Sequence, residues 1–447
     1  MDMNLFIDRL LAAAKDAGIT AAEVYCVEGS SFRARAMEQE IKDYQVSASC
    51  GLNLRGLVEG RMGYASTQAF DEAAIAQLIE GVKESALLTE TDEQDEIFAG
   101  EAEYPTVDKQ DSDLAGVSAQ AKLDACLAME RAALAADSRV WKVQGASLST
   151  GTSRVTLRNS YGLNLTDEGS LCVAYTSAIA KEGDSTGTGV GFACGGRFDG
   201  VDPEKIGREA AEEAVGQLHG DSVPAGEYRI IFRNDAMSDL LSTFEGVFSA
   251  ENAQQKLSLL AGREGTEIAS PVVTLMDDPL LPGGLATCPF DAEGSASRTK
   301  AVIDHGVLTT LLHSRKTARK QGVTTTGNAS RAGYTAPVRV APTNFFFKPG
   351  DKDLAGLMAD MGDGLVITDL SGLHAGANAV SGDFSLLSKG YLVKDGKRAG
   401  AVEQITVAGN FYALLKNIRA VGSDLLFYGS STGSPSVDAG VLTVAGK

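Results

Sequence analysis

One order of segments occurs twice in the first 220 residues, and it limits the fold more than any other feature: a helical stretch, a meander of short alternating runs, then a second helical stretch. In the first pass Leu5, Phe6, Leu10, Leu11 and Ala14 recur at helical spacing and stop at Gly18. Alternating runs follow over about 22–66, where Cys50–Arg55 and Arg61–Ser66 flank Glu59-Gly60 and predict a β-hairpin. A helix is predicted over 71–88, with Asp71 and Glu72 placed for its start. In the second pass a helix over 118–136 leads into strands from Val140 to Cys194, joined by a turn at Arg158–Gly162. Pro203 then opens a helix over 203–218. Two such units in series indicate an internal duplication. The acidic, aperiodic stretch over 92–116 reads as the linker between them.

After Val223-Pro-Ala-Gly226 the texture changes. Glu227–Arg233 predicts a strand, and Asn234 or Asp235 caps a helix through about 250. Beyond it lie short apolar runs cut by turn residues: Pro271–Met276, Ala301–Leu312, Gly364–Asp369, Leu386–Lys394 and Val441–Ala445. One helix interrupts them, over Gln404–Val421. The expected fold is α+β: an N-terminal domain, 1–222, of two α–β-meander–α repeats, and a C-terminal β-rich domain, 223–447. Fifty glycines against 6% aromatics suit strands joined by tight turns.

Forty Lys and Arg against 59 Asp and Glu leave a net charge of −19, which repels phosphate backbones and anionic lipid. Direct nucleic-acid binding is therefore not expected. Six cysteines sit singly, as in a reducing compartment. The first residues lack the basic and apolar regions of a signal peptide, and no run of 18 apolar residues occurs. The triplets at Asn164 and Asn328 are then chance glycosylation matches. The expectation is a cytoplasmic protein without a membrane segment.

The four histidines show no HExxH or paired metal spacing. His305 and His313 flank a turn at Gly306 that could bring them together, and His374, in a loop of small residues, is the best single candidate for a functional histidine. GxxxxGK[ST] and GxSxG are absent. Gly187, Gly189 and Gly191 sit within a strand meander and read as structural. Two loops carry more hydroxyl, amide and charged groups than turns alone require. One contains Thr326, Asn328 and Arg331, the other Ser381, Asp383 and Ser385. Such groups bind extended peptide backbone or a small polar ligand. The alternative is a set of turns held by side-chain-to-backbone bonds.

Several pieces, in order along the whole chain, carry a resemblance: Gly51-x-x-Leu-Arg55 with Gly60-Arg61-x-Gly63, Asn159-Ser-x-Gly162, Phe290-Asp-x-Glu293-Gly294, Thr326-Gly327-Asn328 with Arg331, and Val380-Ser-Gly-Asp383-Phe-Ser385. The chain resembles the TldD/PmbA family, once described as modulators of DNA gyrase. The TldD branch of that family is a zinc metalloprotease with HExxxH on the helix after Asn234 and a Cys ligand near its C-terminus. Here Phe244 and Ser249 stand at the two histidine positions, Glu245 keeps the glutamate, and Tyr428 stands closest to the cysteine. Neither Phe nor a neutral Ser replaces imidazole toward Zn²⁺.

The chain thus resembles the PmbA branch, also called TldE. The resemblance implies a non-catalytic subunit that holds no cofactor itself, pairs with a zinc-bearing TldD-type subunit, and helps admit extended or unfolded peptides. Alone it is expected to form a homodimer. The two loops are then expected to lie together, near the helix bearing Glu245, with Arg331 reaching a peptide carbonyl or carboxylate. Two rivals stay open: a chaperone-like or regulatory peptide binder, and an independent peptidase built on a pair such as His374 and Asp383.

Overall fold

The structure, a computed structural model, describes residues 2–89, 96–109 and 112–447. Its first unit comprises α1 (Met3–Asp16), β1 (Ala21–Met37), β2 (Glu40–Val58), β3 (Arg61–Thr67) and α2 (Glu72–Leu87). The second comprises α3 (Ala119–Ala136), β4 (Val140–Asn159), β5 (Asn164–Glu182), β6 (Ser185–Gly195) and α4 (Pro203–Gly216). All six strands join one antiparallel sheet in the order β3-β2-β1-β4-β5-β6. The two meanders meet along their first strands, from Glu23 opposite Asn159 to Ala36 opposite Ala146. The repeated order of the sequence is thus a repeat about that seam.

Local chemistry sets the element ends. Asp71, Ser118 and Asp202 accept N–H bonds from Ala74, Ala121 and Lys205, capping α2, α3 and α4. The β2–β3 turn has positive φ at Glu59 and Gly60, as a two-residue hairpin requires. The β1–β2 turn puts Glu38 and Gln39, neither of them glycine, at φ 58 and 59°. The carboxylate of Glu130, buried on α3, holds that turn by accepting both N–H groups at 2.7 and 3.0 Å. Gly187, Gly189 and Gly191 face α4, where an added Cβ would fall 1.9–2.3 Å from its backbone. These glycines let a helix lie flush on β6. Among the described residues, Glu40–Cys50 of β2 pairs only with β1, leaving an open edge with Tyr44 and Val46 exposed.

The C-terminal half runs β7 (Gly226–Phe232), α5 (Asn234–Phe244), α6 (Ala250–Gln254), β8 (Leu275–Asp277), β9 (Lys300–Asp304), β10 (Val307–Leu308) and α7 (Arg315–Gln321). There follow β11 (Ala329–Ser330), β12 (Arg339–Val340), β13 (Phe345–Phe347), α8 (Leu354–Met361), β14 (Gly364–Ser371) and α9 (Leu373–Gly376). The chain ends with β15 (Asp383–Lys394), β16 (Lys397–Asn410), α10 (Phe411–Asn417), β17 (Ala420–Val421), β18 (Leu426–Phe427), β19 (Thr432–Ser434) and β20 (Val437–Ala445). Strands pair in the order β16-β15-β14-β7-β20, and β20 returns to β16, so the sheet closes into a barrel. A second sheet, β10-β9-β8-β13-β19-β18, lies beside it. One continuous core joins them, including Phe232, Leu240, Phe244, Phe248, Phe345 and Phe411.

The fold is α+β, as the sequence indicates, and three local readings are corrected. Gln404–Val421 is not one helix: β16 continues to Asn410, with Val402, Ile405 and Val407 buried, and Asn410 then caps the short α10. The helix after Asn234 does not reach 250. It ends at Phe244, passes into a 3₁₀ turn over Glu245–Phe248, and Ser249 caps α6. Its N-cap position is Arg233, with no side-chain cap. The acidic stretch 92–116, of which 92–95 and 110–111 fall outside the described residues, is more than a linker. Glu96 pairs with Arg315 and Arg319, Glu101 with Arg298, and the Tyr104 hydroxyl donates to the Gly294 carbonyl at 2.8 Å. It straps the repeat sheet to the C-terminal half.

Candidate functional site

The helix break at Phe244 decides what this site can hold. The Phe244 ring is fully buried and stacks on Phe411, 4.6 Å between centroids and 9° between planes. Ser249 is buried, and its hydroxyl accepts the Asn252 N–H as the cap of α6. Tyr428 lies elsewhere, with its ring 4.7 Å from Phe192 of β6 and its phenol pushed up to about 12 by burial, with Asp235 and Asp239 adding to the effect. Glu245 accepts the Thr432 hydroxyl proton, and burial raises its pKa. A zinc ion needs several nitrogen, sulfur or carboxylate donors around one point. These positions supply a hydrocarbon ring, an engaged hydroxyl and a phenol against another aromatic, so they do not fit the metal. Among the described residues no three His, Cys, Asp or Glu are gathered to hold one.

The first candidate loop turns inward. Arg331 has only 2% of its side chain exposed and donates to Glu23 of β1 at 2.8 Å, with its guanidinium 4.5 Å from the Tyr25 ring centre. It cannot reach a passing peptide, which corrects the expectation placed on it. The same Glu23 binds Arg55 of β2 in bidentate fashion, at 2.7 and 3.1 Å. Asn328 is likewise buried rather than available, donating to Asp277 and to the Ala341 carbonyl and accepting from Lys300. Thr326 is half-buried and exchanges hydrogen bonds with the His313 backbone. The cause is tertiary: the loop carries its polar groups into a buried ion network between the two halves of the chain.

The second loop stays at the surface. Asp383 accepts from Asn410 at 2.8 Å, and this bond, with one from the Ser381 side chain, holds its carboxyl below the usual range. Ser385 is an exposed residue of β15. No hydrogen bond or ion pair among the described residues joins this loop to Thr324–Arg331. His374 is exposed on the one-turn α9, with no bond to Asp383. The other histidines do not converge: His305 is exposed beside Asp304, and His313 is buried against Thr317.

Sequence reasoning missed a cavity of about 660 Å³ between the first unit and the C-terminal half, lined by Arg55, Met62, Glu96, Glu251, Glu293 and Val338 among others. Its signal lay within the quoted motifs. Arg55 and Glu293 are both motif residues, and Glu293 accepts the Arg315 N–H at 2.8 Å. Beside it Asp291 accepts three backbone N–H groups, yet burial and the neighbouring Glu293 raise its pKa. Gly51, another motif residue, leaves the space that the Tyr334 ring fills. Four of the motif residues, Gly51, Arg55, Glu293 and Arg331, therefore sit at the junction of the two halves.

A closed barrel joined to a duplicated helix–meander sheet, with an aromatic-packed 3₁₀ turn after α5, defines the architecture of the class to which the chain is compared. Models of the PmbA/TldA metallopeptidase domain 1, central domain and C-terminal domain match residues 22–86, 112–218 and 225–446. The chain belongs to the PmbA/TldD metallopeptidase family. It is 28% identical to metalloprotease PmbA of Escherichia coli O157:H7 over 426 residues, 93% of this chain and 89% of that one. A Thermotoga maritima MSB8 protein carrying a DNA-gyrase-modulator label superposes with a TM-score of 0.92 at 33% identity, covering 99% of this chain and 100% of that one. TldE of Thermococcus kodakarensis shares the fold, with a TM-score of 0.90 at 21% identity over 99% of this chain and 100% of that one.

Proposed function

We propose that this chain is the non-catalytic subunit of a heteromeric zinc metallopeptidase of the cytoplasm, in which a TldD-type partner holds the metal and extended or unfolded peptides are the substrate. One observation carries the reading: the position where the metalloprotease branch has its first histidine is a fully buried phenylalanine stacked on Phe411. The open edge of β2 supports a protein partner, because a long exposed strand edge is ordinarily covered. The same need supports a homodimer when the chain is alone.

The test is metal analysis and peptide cleavage on the isolated chain, on a TldD-type partner, and on their mixture. Zinc should accompany the partner alone, and chelator-sensitive cleavage should require the partner. One tight equivalent of zinc in the isolated chain, or chelator-sensitive cleavage by it, overturns the reading. A mixture no more active than the partner alone favours the regulatory alternative instead.

A further inference from the structure

The cavity between the first unit and the C-terminal half is lined in part by an incomplete pair of buried charges, Arg55 and Glu293. Arg55 is 5% exposed and Glu293 is 7% exposed, counting side chains. Two nitrogens of Arg55 are fixed on Glu23, and one oxygen of Glu293 is fixed by the Arg315 N–H. That leaves Nη1 of Arg55 and Oε1 of Glu293, 3.9 Å apart, too far for a hydrogen bond. Neither atom has another hydrogen-bond partner among the described residues, and both side chains line the cavity. One donor and one acceptor held in place on the wall of a cavity form a site for a group that bonds both.

The two atoms select the chemistry of that group. An anion placed there meets the Glu293 carboxylate, and a cation meets the Arg55 guanidinium. The backbone N–H and C=O of a single residue in an extended chain suit both, since they point the same way, the C=O accepting from Nη1 and the N–H donating to Oε1. Both side chains are already locked by their other bonds, so little ordering accompanies binding. The cavity volume lies within the roughly 300–1,000 Å³ of small-ligand sites, well beyond one bridging water. Met62, Pro337 and Val338 supply apolar wall.

We propose that this cavity binds a segment of extended peptide, with the N–H and C=O of one residue seated on Glu293 and Arg55. This rests on the peptide-handling reading above, and assigns the chain a peptide site of its own, distinct from the Phe244 turn. The test uses the full-length chain labelled at its methionine methyls, titrated with N-acetyl-tetraalanine amide and read by NMR. Met62, only 2% exposed in the cavity wall, is the reporter, its signal identified by loss in Met62→Leu.

The Met62 resonance should shift saturably while the other methionines stay in place. Glu293→Gln should weaken the binding about tenfold. Pro337→Trp, at an exposed rim position clear of the ion pair, should abolish it while the circular dichroism and melting of the chain are retained. An unmoved Met62 signal, a shift reproduced by inorganic phosphate alone, or unchanged binding in Pro337→Trp overturns the proposal. Binding is read without a partner or metal, so these outcomes are separate from the zinc and cleavage tests of the subunit role.

Discussion

Glu23 is the carboxylate on which two halves of the protein depend, and Glu23→Gln removes its charge while keeping its shape. Its side chain is 0% exposed and binds Arg55, 5% exposed, and Arg331, 2% exposed. The two guanidiniums sit close enough that Arg55, after burial itself, lowers the pKa of Arg331. Without Glu23 the nearest remaining carboxylate to Arg55 is Glu293 at 3.9 Å, and Arg331 keeps the face of Tyr25 and the weaker attraction of Glu293. Breaking a buried pair so that cations remain uncompensated costs about 3–5 kcal/mol. Arg331→Met is the control. It leaves Glu23 bidentate on Arg55 and removes a buried Nε that has no partner, so it should cost about 1–2 kcal/mol, below the ~3 kcal/mol upper range for a charged hydrogen bond. At about 1 °C per kcal/mol for a chain of this length the Glu23 variant should melt roughly 3–5 °C low. Thermal unfolding by circular dichroism, with urea midpoints beside it, measures the order. A Glu23→Gln melt within about 2 °C of the parent, or an Arg331→Met that is the worse of the two, refutes the reasoning.

Gly191→Ala places a Cβ 1.9 Å from the Ile206 carbonyl oxygen, so β6 and α4 must separate; overpacking of this kind costs about 1–3 kcal/mol, measured as a lowered urea midpoint. Phe244→His with Ser249→His should gain no stoichiometric zinc by elemental analysis, since the positions flank a 3₁₀ turn and Tyr428 faces Phe192. The Asp239 carboxyl is raised to about 6 by burial, with Asp235 and Asp369 adding to it. A raised carboxyl favours the fold while protonated in both states and loses that contribution as pH climbs from about 4 through 6. Asp239→Asn should therefore melt above the parent at pH 8 and level with it at pH 4.

The duplicated order, the hairpin at Glu59-Gly60 and the helix caps could be read from the chain because each is a local matter of spacing and turn chemistry. The strip Gly187, Gly189, Gly191 was legible as structural for the same reason. Gln404–Val421 was misread because an alternating run passes directly into a helical one at Asn410, and only barrel closure against β20 keeps the first part extended. That a Phe and a Ser stand at 244 and 249 is likewise read from the residues themselves.

What tertiary structure alone decided is where polar loops spend their charges. Arg331 and Glu23 are 308 residues apart in sequence, and nothing near either signals the other. Side-chain type in a loop gives the bonds a group can make, while burial decides whether solvent, a ligand or a distant carboxylate supplies the partner. The sequence therefore determined the class of elements and which side chains stand at 244, 249 and 428. The folded chain determined that the motif around Arg331 is a fastening, and that Arg55 and Glu293 each keep one atom open to a cavity.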